Sequence, residues 1–210
     1  MQLKATYGLV GMSVIVFIAT AIQSGSFFDN LSFSPLGDAW TLYGPQMYTP
    51  TGLLRAIGWS FVHIGPTHLA LNMVLLSLVG QAIERDLGSG LTLLAYLTGA
   101  VGSAAFSLAL QPMDAAAGAS GAIFALLGVL IGRAVRYRQD IQSAVTLLGA
   151  NLVFTALMPG VAVWGHIGGA LTGLALAFTT YGFRRVSTRA WATGALFVGA
   201  WVALWLVLHT

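Results

Sequence analysis

The stretch GASGAIFALLGVLIG, residues 118–132, is a run of apolar and small residues with one hydroxyl at its head, closed by Arg133. Alone it fits either the core helix of a soluble domain or part of a membrane span. Composition decides. The chain of 210 residues is 57% hydrophobic and only 7% charged, where soluble domains carry about 25% charged residues. Too little polar surface remains to cover a water-soluble globule, so the chain is expected to be an all-α polytopic membrane protein. The net charge of +3 rests on nine cations and six acids, too few charges to say much about nucleic acid, and no nucleic-acid partner is expected. With no cysteine, disulfides, thiolate metal sites and a cysteine nucleophile are excluded.

Spans of roughly 20 apolar residues follow outward from this stretch. Ala119–Val135 is the fourth. Tyr7–Ile22, Pro66–Ile83 and Leu91–Leu110 precede it, and Ile141–Leu157, Val161–Phe183 and Trp191–Leu208 follow. Seven spans in one domain, residues 1–210, are therefore expected. The segment Ser24–Gly65, broken at Pro35, Pro45 and Pro50, reads as a long first loop partly sunk in the interface. Lys4, Arg85, the Arg133, Arg136 and Arg138 group, and the Arg184, Arg185 and Arg189 group all fall on one side of this scheme, and only Arg55 on the other. Basic residues favour the cytoplasm, so the N-terminus is expected inside and the first loop and C-terminus outside. Lys4, the apolar run and Ala19-Thr20-Ala21 also have the outline of a secretory signal; the reading preferred here is a retained first span.

The topology brings polar residues to one depth. Pro66 suits the first turn of the second span, which puts His68 and Asn72 on one face near its outer end. Ser120 heads the fourth span, and His166 lies about one turn into the sixth. An imidazole that takes the serine proton makes a weak alcohol a nucleophile. His68, the Asn72 amide and the N–H groups around Ser120, Ala119 included, are candidate donors to a developing oxyanion. Gly165, Gly169 and Gly173, opposite Gly121, Ala125, Gly128 and Gly132, make small-residue seams that let the fourth and sixth spans approach closely.

These elements resemble the rhomboid intramembrane serine proteases. His63, His68 and Asn72 match the family's His-x4-His-x3-Asn element. Gly118-Ala119-Ser120-Gly121 matches Gly-x-Ser-Gly, and His166, Gly169 and Gly173 match His-x2-Gly-x3-Gly. Gly80, Glu84 and Gly88 also fit. The resemblance implies a six-helix core, about residues 1–185, plus an extra C-terminal helix at about 191–208. It implies Ser120 as nucleophile, His166 as base, and His68, Asn72 and the serine-loop N–H groups at the oxyanion. Phe124 would stack on the catalytic histidine. Gly118 and Met158 are candidate substrate or gating residues, the latter in the Met158-Pro159-Gly160 loop that would act with the fifth span as gate and cap. The chain departs from the family at Leu54-Arg55, where relatives carry Trp-Arg, and at Gly165, where alanine is common.

The implied activity is cleavage of membrane-protein substrates in or near a transmembrane helix at the outer face. It uses no cofactor and no metal, since His63 and His68 lack a third ligand at matching spacing. The expected location is a bacterial plasma membrane. Taken singly, Gly-Ala-Ser-Gly is commonly a packing motif, and a lone membrane histidine commonly a proton relay or helix–helix hydrogen bond. Two alternatives follow: a proton-coupled transporter or channel, and a non-catalytic binder on the same scaffold. His63, Arg55, Glu84, Gly169 and Gly173 are read as structural, with Glu84 pairing a cation or capping a helix. Asn151 is read as a packing hydrogen bond, and Trp59, Trp164, Trp191 and Trp205 as interfacial anchors.

Overall fold

The computed structural model describes residues 3–157 and 162–209. Its elements in chain order are α1 (Lys4–Ser24), α2 (Pro35–Trp40), α3 (Arg55–Gly58), α4 (Gly65–Leu110), α5 (Ser120–Arg136), α6 (Gln142–Leu157), α7 (Val163–Tyr181) and α8 (Val186–His209), with two short 3₁₀ turns between α2 and α3. No strand occurs among the described residues, only an isolated bridge between Leu42 and Ala116.

α4 is two membrane passes. As one straight rod its 46 residues would put Tyr96 about 45 Å from Gly65, at 1.5 Å per residue. Yet the Tyr96 hydroxyl donates to the Ser60 carbonyl at 2.9 Å, and Trp59 Nε1 donates to the Ala100 carbonyl at 3.2 Å. The chain therefore doubles back, and it does so at Gly88, whose φ of 78° and ψ of 164° lie outside the helical region. A side chain would resist that backbone. Limbs 65–87 and 89–110 thus correspond to the two spans expected from the sequence.

α1, α4 and α8 are each long and apolar enough to cross a membrane, and large apolar side chains such as Ile22, Leu78, Phe178 and Val202 remain exposed on the bundle surface. This is an integral membrane protein of the all-α polytopic class. α5 is its axis: every residue from Gly121 to Val129 is buried. Limb 89–110 and α7 pack closely against α5. α1 packs through Leu9 and Val16 with Met73, Leu76 and Val79 of limb 65–87. α8 packs through Ala200 and Leu204 with Val101, Ala104 and Leu108 of limb 89–110.

Local signals set the helix ends. Ser34 caps α2 by accepting from Gly37 N–H at 3.0 Å, with Pro35 in the first turn, as N-caps require. Arg55 is buried and donates to the Asp38 and Thr41 carbonyls at the far end of α2, where a cation suits the helix dipole. Glu84 is fully buried and caps α1: it accepts from Ala5 N–H at 2.8 Å, Thr6 N–H at 2.8 Å and the Thr6 hydroxyl at 2.6 Å, and also from the Ser89 hydroxyl. Of the two roles expected for Glu84, the cap is the one observed.

Each donor stranded in an apolar setting costs about 1–3 kcal/mol. Glu84→Ala is accordingly expected to cost at least about 3 kcal/mol, read as a fall of thermal midpoint in detergent, with Glu84→Gln losing less. A variant melting with the unsubstituted protein would show that water or lipid headgroups replace the cap.

Candidate active site

Ser120 is the first residue of α5, and His166 is the fourth of α7. His166 Nε2 lies 2.6 Å from Ser120 Oγ. The Phe124 ring, one turn further along α5, stacks on the imidazole at 4.4 Å between centroids and 10° between planes. It fixes the ring plane that the short serine arm must meet.

Close approach of α5 and α7 makes this distance possible. A Cβ on Gly169 would strike the Gly121 carbonyl, one on Gly173 the Ala125 backbone, and one on Gly128 the Gly173 backbone. The two helices touch main chain to main chain, as small-residue seams allow in lipid. Limb 89–110 adds Ser103, whose hydroxyl donates to the Gly165 carbonyl next to His166 and lies against Gly121. Sequence reasoning passed over Ser103; its place in the small-residue run Gly102-Ser103-Ala104-Ala105 was the available signal.

The segment leading into Ser120 is held by the first loop. Leu42 and Ala116 exchange two backbone hydrogen bonds of 2.9 Å, and Gly118 N–H donates to the Trp59 carbonyl at 2.8 Å. Gly118 has a φ of +128°, and a Cβ there would lie 2.6 Å from His68 Cε1, so both backbone and neighbour call for glycine. Trp59 is a buried hub of this arrangement, only 2% exposed, rather than an interfacial anchor. Trp164, Trp191 and Trp205 do lie exposed near helix ends.

Backbone contacts set the tautomers of the two histidines beside the serine. Ile64 N–H donates to His68 Nδ1 at 3.3 Å, which in a neutral ring leaves the proton on Nε2, the atom beside Gly118. His63 has the opposite arrangement. Its Nε2 accepts from Ala119 N–H at 3.3 Å, and its Nδ1 faces the Phe61 carbonyl at 3.2 Å. One expectation changes here: Ala119 N–H, read as an oxyanion donor, is turned toward His63 instead. Ser120 N–H heads the helix and has no acceptor within it. Asn72 uses one amide N–H on the His68 carbonyl at 2.9 Å.

Ser120, His166, His68, Asn72 and Phe124 line one cavity of about 620 Å³. It continues as an apolar groove past Leu71, Val74, Leu75 and Leu78 of limb 65–87, with Asn151 of α6 also on its lining. Leu71, Val74 and Leu78 are 60–67% exposed, so the groove is open sideways to lipid. Asn151 donates to the Leu147 carbonyl of its own helix at 2.8 Å rather than to a neighbouring helix. Met158, with Pro159 and Gly160, lies outside the described residues. His63, Arg55 and Glu84 do not reach the groove.

The Rhomboid domain family matches residues 50–183. "Rhomboid protease GluP" of Bacillus subtilis is 30% identical over 182 residues, covering 80% of this chain and 33% of that protein. "RHOMBOID-like protein 4" of Arabidopsis thaliana is 33% identical over 130 residues, 59% of this chain and 33% of its own length. "Putative rhomboid protease YdcA" of B. subtilis is 31% identical over 132 residues, 59% of this chain and 65% of that protein. The chain thus spans about a third of the length of the first two relatives. The matched region runs from just before α3 to the end of α7 and contains every side chain that meets at the serine, so fold, site and comparison agree that this chain belongs to the rhomboid family.

Proposed function

We propose that the protein is an intramembrane serine endopeptidase that cleaves a peptide bond in or near a transmembrane segment of another membrane protein. The observation that carries the reading is the 2.6 Å approach of Ser120 Oγ to His166 Nε2 at the end of an apolar groove open to lipid. A solvated surface pair would have no such setting.

In the proposed reaction Ser120 Oγ attacks the carbonyl carbon while its proton passes to His166 Nε2. The oxygen that becomes negative is held by His68 Nε2–H, the second Asn72 amide proton and Ser120 N–H. Collapse of the tetrahedral adduct breaks the C–N bond, and His166 returns the proton to the leaving amine. Water, activated by the same imidazole, then hydrolyses the acyl-serine. Gly118 leaves room for the His68 ring against the serine loop. Phe124 holds the His166 ring, and the Gly169 and Gly173 contacts hold its helix. The substrate must unwind locally first, because a helical carbonyl is hydrogen-bonded and covered. The alignment of Lys4 and the arginine groups at the opposite end of the bundle supports an outward-facing site with a cytoplasmic N-terminus. The fifth span, α6, and the loop that follows it are the proposed gate and cap. The extra helix α8 packs behind limb 89–110, away from the groove.

The test is direct. Purified protein in lipid vesicles is incubated with a panel of single-span segments, and products are mapped by mass spectrometry. Cuts clustered at one depth near the outer interface are expected. Proton flux in liposomes with no cleavage of any segment would instead favour a transporter, and capture of segments without products a binder. Asn72→Ala is expected to lower kcat/KM about 100-fold, the usual effect of losing one oxyanion donor, with thermal stability little changed. Unchanged turnover would take the Asn72 amide out of the oxyanion site.

A further inference from the structure

The groove below the serine is walled by aliphatic side chains, and its polar groups gather at one end: His68, Asn72, Ser120 and His166. Asn151 is the exception. It is the only polar side chain that α6 contributes to the lining among the described residues. One amide proton goes to the Leu147 carbonyl. The side-chain carbonyl and the second N–H have no partner among the described residues. A polar group in an apolar, lipid-open site is costly unless something bonds to it, and leucine there would fill the same space without that cost.

Resting on the protease reading above, we propose that Asn151 is a specificity-determining residue. It hydrogen-bonds an uncharged polar side chain of the substrate segment, one of Asn, Gln, Ser or Thr, on the membrane side of the cleaved bond. A carboxamide or hydroxyl matches both the free acceptor and the free donor of Asn151, and it also weakens the substrate helix that must open. Recognition and unwinding then draw on the same substrate residue.

The experiment places Leu, Thr or Asn singly at each of the five positions on the membrane side of the mapped cut. It measures kcat/KM in vesicles for the unsubstituted protein and Asn151→Leu. At one or two adjacent positions, Thr and Asn substrates should be cleaved about 3- to 10-fold better than Leu by the unsubstituted protein, as expected of one hydrogen bond in a membrane. Asn151→Leu should erase that ratio by losing turnover on the Thr and Asn substrates, and melt no lower. A ratio that survives in Asn151→Leu overturns the proposal. So does an equal loss on every substrate, which would mark a packing role or a bond to substrate backbone. If the unsubstituted protein cleaves no segment at all, the protease reading fails first and this inference with it; cleavage with no positional preference sinks the inference alone.

Discussion

Ser120→Ala is expected to fold, to keep its groove and to cleave nothing. Removing one oxygen atom from the head of α5 leaves the seam with α7 intact, so the thermal midpoint should stay close to that of the unsubstituted protein. Turnover should fall by at least about 10⁴-fold, since members of a nucleophile–base pair act as a unit. His166→Ala should be nearly as damaging for the same reason, and the double variant little worse than either single one. A fluorophosphonate probe gives a second readout: it should label the unsubstituted protein and neither variant. Cleavage by Ser120→Ala at the original rate, in material free of other proteases, would remove Ser120 from the chemistry and with it the proposed reaction.

Gly169→Val should act by a different route and with comparable severity. Its side chain would run into the Gly121 carbonyl, which belongs to the backbone and cannot swing aside. Either α7 moves away from α5, lengthening the 2.6 Å approach of imidazole and hydroxyl, or the pair of helices does not assemble. Small-to-large changes in a packed core cost about 1–3 kcal/mol and more when backbone is struck. Both thermal stability and labelling should therefore fall together, unlike in Ser120→Ala, where only the chemistry goes. Gly149→Ala on α6 is the matched control, since a Cβ there meets nothing within 4 Å. It should be neutral or slightly stabilising, by up to about 1 kcal/mol. If Gly169→Val labelled and melted normally, the main-chain contact would not be what sets the pair's distance.

Much of the architecture was legible because lipid imposes a simple rule: long apolar runs must become helices. The seven runs correspond to α1, the two limbs of α4, and α5 to α8. The meeting of Ser120, His68, Asn72 and His166 in one cavity could be read for the same reason, since alternate spans put their N-terminal ends on the same side. Contacts carried by the first loop were not legible. Trp59 has the look of an interfacial tryptophan, yet it is buried because its indole N–H finds the Ala100 carbonyl 41 residues away. Ala119 offered a plausible N–H, but which acceptor it meets depends on where a loop histidine, His63, is folded. Asn30 gave no signal at all; it is fully buried and joins Thr20 at 2.8 Å to Gly65 N–H at 2.9 Å. Periodicity reports which face is apolar. It carries no information on how an irregular segment of about 40 residues closes over the end of a bundle.

Ser120 and His166 stand 46 positions apart, on helices separated by α6. On the proposed reading, a ribosome delivers the nucleophile to the bilayer before it has made the base. Until α7 is threaded in and locked against its neighbour, the newborn polypeptide would then hold an inert hydroxyl and pose no hazard to the other nascent chains sharing the insertion machinery.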